Sequence, residues 1–163
     1  MKKINSKKGF TLLELLVVVA IIGLLISITF NYLGSTKKKG DDTAVKSNLA
    51  SMRSVAEIFF LDNANSYLPV GGSTWFDLNV ACPIYDAPEI NMFSRNNVIA
   101  DAIAEAVKRG NGSACYNSAN SWAVAVGLKL TPNTSWCVDV TGVAKIVNYL
   151  PSLAINGTTH TCN

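Results

Sequence analysis

The chain has 163 residues, 49% of them hydrophobic, with 14 Lys+Arg against 11 Asp+Glu for a net charge of +3. Four of those bases, Lys2, Lys3, Lys7 and Lys8, precede residue 9, so the rest carries ten bases and eleven acids, which argues against nucleic-acid binding through a basic surface. One histidine, His160, excludes a poly-histidine metal site and argues against a Ser-His-Asp triad, and four cysteines without a CxxC pair do not read as zinc or thioredoxin chemistry.

Residues 1–9 are polar and basic, and from Leu15 to Thr36 no residue carries a formal charge. As a helix that stretch spans about 30 Å, the thickness of a bilayer's hydrocarbon core. The leading lysines predict a cytoplasmic leader, although Lys37, Lys38 and Lys39 weaken the charge asymmetry. A cleaved secretory signal fits poorly, because the apolar stretch is too long and no Ala-x-Ala follows it. A plain single-pass anchor does not explain Glu14, since an unpaired carboxylate there costs a few kcal/mol in lipid. A cut after Gly9 would make Phe10 the N-terminus, with its α-ammonium about one helical turn from Glu14. In a bundle of such helices, Glu14 of one subunit could pair with a neighbour's ammonium, which favours association.

The run from Lys8 through Gly9, Phe10, Thr11 and Glu14 to Gly23 resembles the class III signal of type IV pilins and pseudopilins. The resemblance implies cleavage by a prepilin peptidase between Gly9 and Phe10, N-methylation of Phe10, and Glu14 as the assembly carboxylate. Many members of that family carry a proline partway down this helix. Here Asn31 lies near that place, and no proline precedes Pro69. Local melting in a filament is therefore expected between Gly23 and Gly34.

From Thr43 to Asp62 the pattern turns amphipathic, with Val45, Leu49, Met52, Ala56 and Phe59 on one face. This stripe reads as packing against a head domain. Gly40 could interrupt the helix, Asp41 or Asp42 could cap its second half, and Arg53 and Glu57 form an i, i+4 pair. Asn63, Asn65 and Ser66 end the helix, and the stretch Glu57 to Pro69 also resembles pilins.

Residues 70–93 read as a structured loop. Val98, Ile99, Ala102, Ile103, Ala106 and Val107 make the apolar face of a short helix that ends at Gly110 or Gly112. Trp122 to Leu128, Trp136 to Thr141 and Val143 to Leu150 read as three antiparallel strands, with one buried face set against the long helix. Trp136 to Gly142 resembles a recurrent strand-turn of pilin heads. The fold class is therefore α+β, in four segments: leader 1–9, membrane or filament-core half-helix 10–36, amphipathic half-helix 37–62, and head 63–163.

Cys82, Cys115, Cys137 and Cys162 are consistent with two disulfides in an exported domain. Of the three connectivities, nearness in sequence favours Cys82–Cys115 and Cys137–Cys162. Asp139 near Gly142 is one acid where a calcium site wants six to eight oxygens, so no metal or cofactor is expected. His160 reads as solvated, and Trp75, Trp122 and Trp136 as packing residues. Three Asn-x-Ser/Thr patterns, at Asn111, Asn133 and Asn156, lie in turns and carry no glycosylation claim.

With no clustered titratable groups, the sequence argues against an enzyme. The expected function is a structural pilin that polymerises through its N-terminal helix. The alternative is a pseudopilin of a type II secretion or competence system. The resemblance implies a homo-oligomeric helical filament, a prepilin peptidase, an assembly ATPase and a membrane platform protein. It also implies an inner-membrane precursor that ends in an extracellular pilus or periplasmic pseudopilus, with no direct nucleic-acid partner. A membrane-anchored binding protein that keeps its leader is a third reading.

Overall fold

The computed structural model describes residues 9–77, 82, 83, 85, 88 and 90–163, with the backbone alone for 28–32 and 75–77. Lys2, Lys3, Lys7, Lys8 and the side chains of Asn31 and Trp75 lie outside the described residues. The chain divides into two units, Met1–Lys37 and Lys38–Asn163. Helix α1 (Leu12–Asp62) begins in the first unit and ends in the second.

In the second unit the apolar stripe of α1 governs the packing. Val45, Leu49, Met52 and Ala56 are fully buried, and Phe59 packs at their edge. The helix continues through Gly40, so the expected interruption there is not found. It ends where Ala64 and Asn65 take positive φ, with Asn65 N–H bonded to Phe60 O. Asn63 secures this turn through Nδ2 to the carbonyls of Ser66 and Leu68.

The sheet has five antiparallel strands in chain order: β1 (Trp75–Asp77), β2 (Ser113–Asn117), β3 (Trp122–Gly127), β4 (Ser135–Asp139) and β5 (Ala144–Val147). Between β1 and β2 come α2 (Met92–Arg95) and α3 (Asn97–Arg109), and α4 (Pro151–Ala154) follows β5. Asn91 and Asn96 cap α2 and α3 by accepting from Ser94 N and Ile99 N. Gly110 ends α3, in close contact with Val126 and Gly127 O, where a side chain would collide.

The α+β expectation holds, but the sheet is larger than three strands and is covered on both faces. In register, Cys115, Val124 and Val138 lie side by side, and their face packs on α1, α2 and α3 together with Trp122 and Val126. The opposite row, Ala114, Ala125 and Cys137, packs with Ala154 and Ile155 of the C-terminal segment. Small side chains on that row let the segment lie close to the backbone. All six residues of β3 are therefore buried. The third expected strand is shorter than Val143 to Leu150, because Pro151 opens α4. In α3, Val98 is 53% exposed, while Ile99, Ile103 and Ala106 form the buried face with Ala100.

Candidate assembly surface on the N-terminal helix

Among its described residues, the first unit presents an exposed apolar surface. Phe10, Leu12 and Leu13 are 81%, 84% and 74% exposed, and the aliphatic residues from Leu15 to Ile26 are exposed as well. A soluble monomer rarely leaves a patch of this extent open, and such patches mark a membrane or protein contact. Gly9 is exposed, and the space beside its Cα is open. Among the described residues, no helix is long and apolar enough to cross a membrane.

Glu14 is placed by its own helix terminus. Thr11 donates its backbone N–H and its hydroxyl to Glu14 Oε2 at 2.8 and 2.9 Å, while Glu14 N–H donates to Thr11 Oγ1 at 3.2 Å. This is a capping box: the residue before the helix and the third residue inside it satisfy each other's donors. The carboxylate is thus oriented at the positive end of the helix dipole. The Thr-x-x-Glu spacing of Thr11 and Glu14 is the sequence signal of this arrangement.

In the second unit, Asp41 and Asp42 are 8% and 6% exposed and do not cap a helix. Asp42 accepts the backbone N–H groups of Lys129 and Leu130 at 2.7 and 3.1 Å. Asp41 pairs with Lys129 Nζ at 3.3 Å and with an Arg109 terminal nitrogen at 3.5 Å. Burial pushes the Asp41 carboxyl upward, but the two cations outweigh it and hold the group below the usual carboxylate range. The pair of acids therefore fastens α1 to the β3–β4 turn and to the end of α3.

Arg53 and Glu57 are directed to the head. An Arg53 guanidinium N–H donates to Gly142 O at 2.8 Å, and a side chain at Gly142, whose φ is +97°, would meet that guanidinium. Glu57 accepts from Tyr67 Oη at 3.0 Å. Burial and the neighbouring carboxylate push the Tyr67 hydroxyl up to about 12. Tyr67 also lies against Phe60 and Trp122, with centroids 4.6 and 6.4 Å away. A cleft of about 320 Å³ is lined by Ala50, Arg53, Ser54, Glu57, Val138 and Ala144, and both of its charged groups are held by these bonds.

The C-terminal segment is held by the cysteines and by Asp139. Disulfides join Cys82 to Cys115 and Cys137 to Cys162. Asp139, fully buried, accepts from Thr141 N–H and hydroxyl on one oxygen and from Cys162 N–H on the other. Both oxygens are thereby used in holding the fold. Among the described residues, no group of three or more His, Cys, Asp or Glu side chains could hold a metal ion. His160 is not simply solvated: its ring stacks on Tyr116 at 4.0 Å. Trp136 carries Lys46 Nζ over its ring at 5.1 Å.

A long N-terminal helix whose second half packs on an antiparallel sheet, with an apolar first half left open, defines the pilin-like class of α+β proteins. The prokaryotic N-terminal methylation motif matches residues 4–30. The chain is 39% identical over 60 residues to type II secretion system core protein G of Klebsiella michiganensis, covering 37% of this chain and 42% of that protein. It is 36% identical over 64 residues to core protein G of Vibrio cholerae, covering 39% and 44%. With the type IV wide pilus major component PilA4 of Thermus thermophilus it shares 40% over 63 residues, covering 39% and 47%. The chain thus spans less than half the length of these relatives. No solved structure matches it. Over its N-terminal part, the methylation motif and these relatives support a place for the chain among type IV pilins and pseudopilins.

Proposed function

We propose that this chain is a structural subunit, without enzymatic activity, that polymerises into a type IV pilus filament through its N-terminal helix. The observation that carries the reading is the exposed apolar run from Leu12 to Ile26 with Glu14 set in its first turn. Packing such helices together removes apolar surface from water at about 25 cal/mol per Å². Within a bilayer that gain is absent, so an ATPase and a platform protein would have to supply the work of extraction.

In this reading a prepilin peptidase cuts between Gly9 and Phe10 and methylates Phe10. The new ammonium then pairs with Glu14 of a neighbouring subunit. Before assembly, the membrane holds the subunit by residues 10–36 while residues 63–163 form the exported head. The disulfides fit export to an oxidising compartment.

The likeness to core protein G of two organisms supports a second reading, a pseudopilus subunit. Electron microscopy of cells with and without the chain tests both readings. Long surface fibres that need the chain support the pilus, and short periplasmic ones the pseudopilus. No fibre in either case would overturn the polymerising role.

A further inference from the structure

We propose that Lys37, Lys38 and Lys39 bind the phosphate groups of anionic lipids at the outer face of the membrane and hold the subunit in register before assembly. The proposal rests on the membrane-held reading above. Read along the chain, the three lysines are followed at once by Asp41 and Asp42, which would offset most of their charge. The fold removes that offset. Both acids are buried, and they are matched by Lys129, Arg109 and two backbone N–H groups of the head. Lys37, Lys38 and Lys39 are all exposed. Arg109 also pairs with Glu105, which in turn pairs with Lys108, so the six cations and three acids of this cluster leave a net charge of +3, and Lys37, Lys38 and Lys39 are its cations without an acid partner among these pairs.

Position supplies the second argument. Twenty-seven residues separate Phe10 from Lys37, or about 40 Å along a helix. A bilayer including its headgroups is about 40–45 Å thick. With Phe10 at one headgroup layer, the lysines reach the opposite one. A basic residue near an anionic surface gains about fivefold in local affinity, an effect confined to roughly a Debye length.

The test uses the full chain reconstituted into vesicles of phosphatidylcholine alone, or of phosphatidylcholine with phosphatidylglycerol. Lysines are acetylated for timed intervals and read by mass spectrometry, with exposed Lys145 on β5 as the internal reference. The expected result is about fivefold slower acetylation of Lys37–Lys39 in the anionic vesicles, abolished by high salt and absent at Lys145. Equal rates in both lipids, with the chain floating with both, would overturn the lysine assignment alone. Protection in phosphatidylcholine that grows with protein density would give the lysines to another copy, and protection there by added inorganic phosphate would give them to a free ion. Either result overturns the lipid assignment. A chain that floats with neither vesicle would overturn the membrane-held reading and this inference with it.

Discussion

Asp42 and Lys129 lie 87 residues apart in sequence and are joined at 2.7 Å, carboxylate oxygen to backbone N–H. A second bond, from Leu130 N–H to the other oxygen, makes one side chain satisfy two donors of the β3–β4 turn. Asp42→Ala strands two part-buried donors and is expected to cost about 1–3 kcal/mol. Urea unfolding of the full chain in detergent measures it. A cost within experimental error of zero would mean that water replaces the carboxylate freely.

Asp41 makes the same junction sensitive to acid. Its folded pKa lies below the unfolded one, so its stabilising effect is present above about pH 3.9 and is lost as pH falls through the folded value. Wild type should therefore be more stable than Asp41→Asn at neutral pH, with the two denaturation midpoints converging in acid. Midpoints that stay parallel across that range would show that Lys129 and Arg109 do not act through the charge of Asp41.

The C-terminal segment has two fastenings to one strand, Asp139 to Cys162 N–H and the Cys137–Cys162 disulfide. Cys162→Ala opens a loop of separation 25, worth about 3–4 kcal/mol in the chain-entropy model. Asp139→Ala should cost about 1–3 kcal/mol by leaving three part-buried donors, on Thr141 and Cys162, without their acceptor. Because both hold the same segment, the double variant should lose less than the sum of the single losses. A double-mutant cycle by denaturant unfolding checks the coupling, and strict additivity would show that the two act separately.

Thr11 and Glu14 should differ in the severity of their loss. Glu14→Ala removes the carboxylate and is expected to leave the chain in the membrane with few fibres. Thr11→Ala removes only the hydroxyl that orients Oε2, a capping loss of about 1 kcal/mol, and should reduce yield less. Fibre recovered by shearing, compared with chain in the membrane fraction, measures both. Equal loss in the two variants would mean that the cap itself, and not the charge, governs assembly.

The parts of the fold legible in the sequence are those with a strong period. The 4-3-4 spacing of Val45, Leu49, Met52 and Ala56 marked the buried face of α1, and the alternation from Trp122 marked β3. Strands β1 and β2 were missed because Ser113 to Asn117 lacks β-branched residues and Trp75 to Asp77 is too short to show alternation. The second covered face was missed because Ala114, Ala123 and Ala125 look like weak strand residues until the C-terminal segment is laid on them. Asp41, Asp42, Arg53 and Glu57 illustrate a further limit. Their types suggested caps and a surface pair, whereas their partners lie far along the chain, where only the fold brings them together.

Polymerisation as proposed requires Phe10 to become the N-terminus, so that its ammonium can meet Glu14 in a fibre. Mass spectrometry of the N-terminal peptide from sheared fibres tests it most directly. The expected peptide begins at methylated Phe10. Recovery of the chain with Met1 intact, or only from membranes and never from fibres, would contradict it.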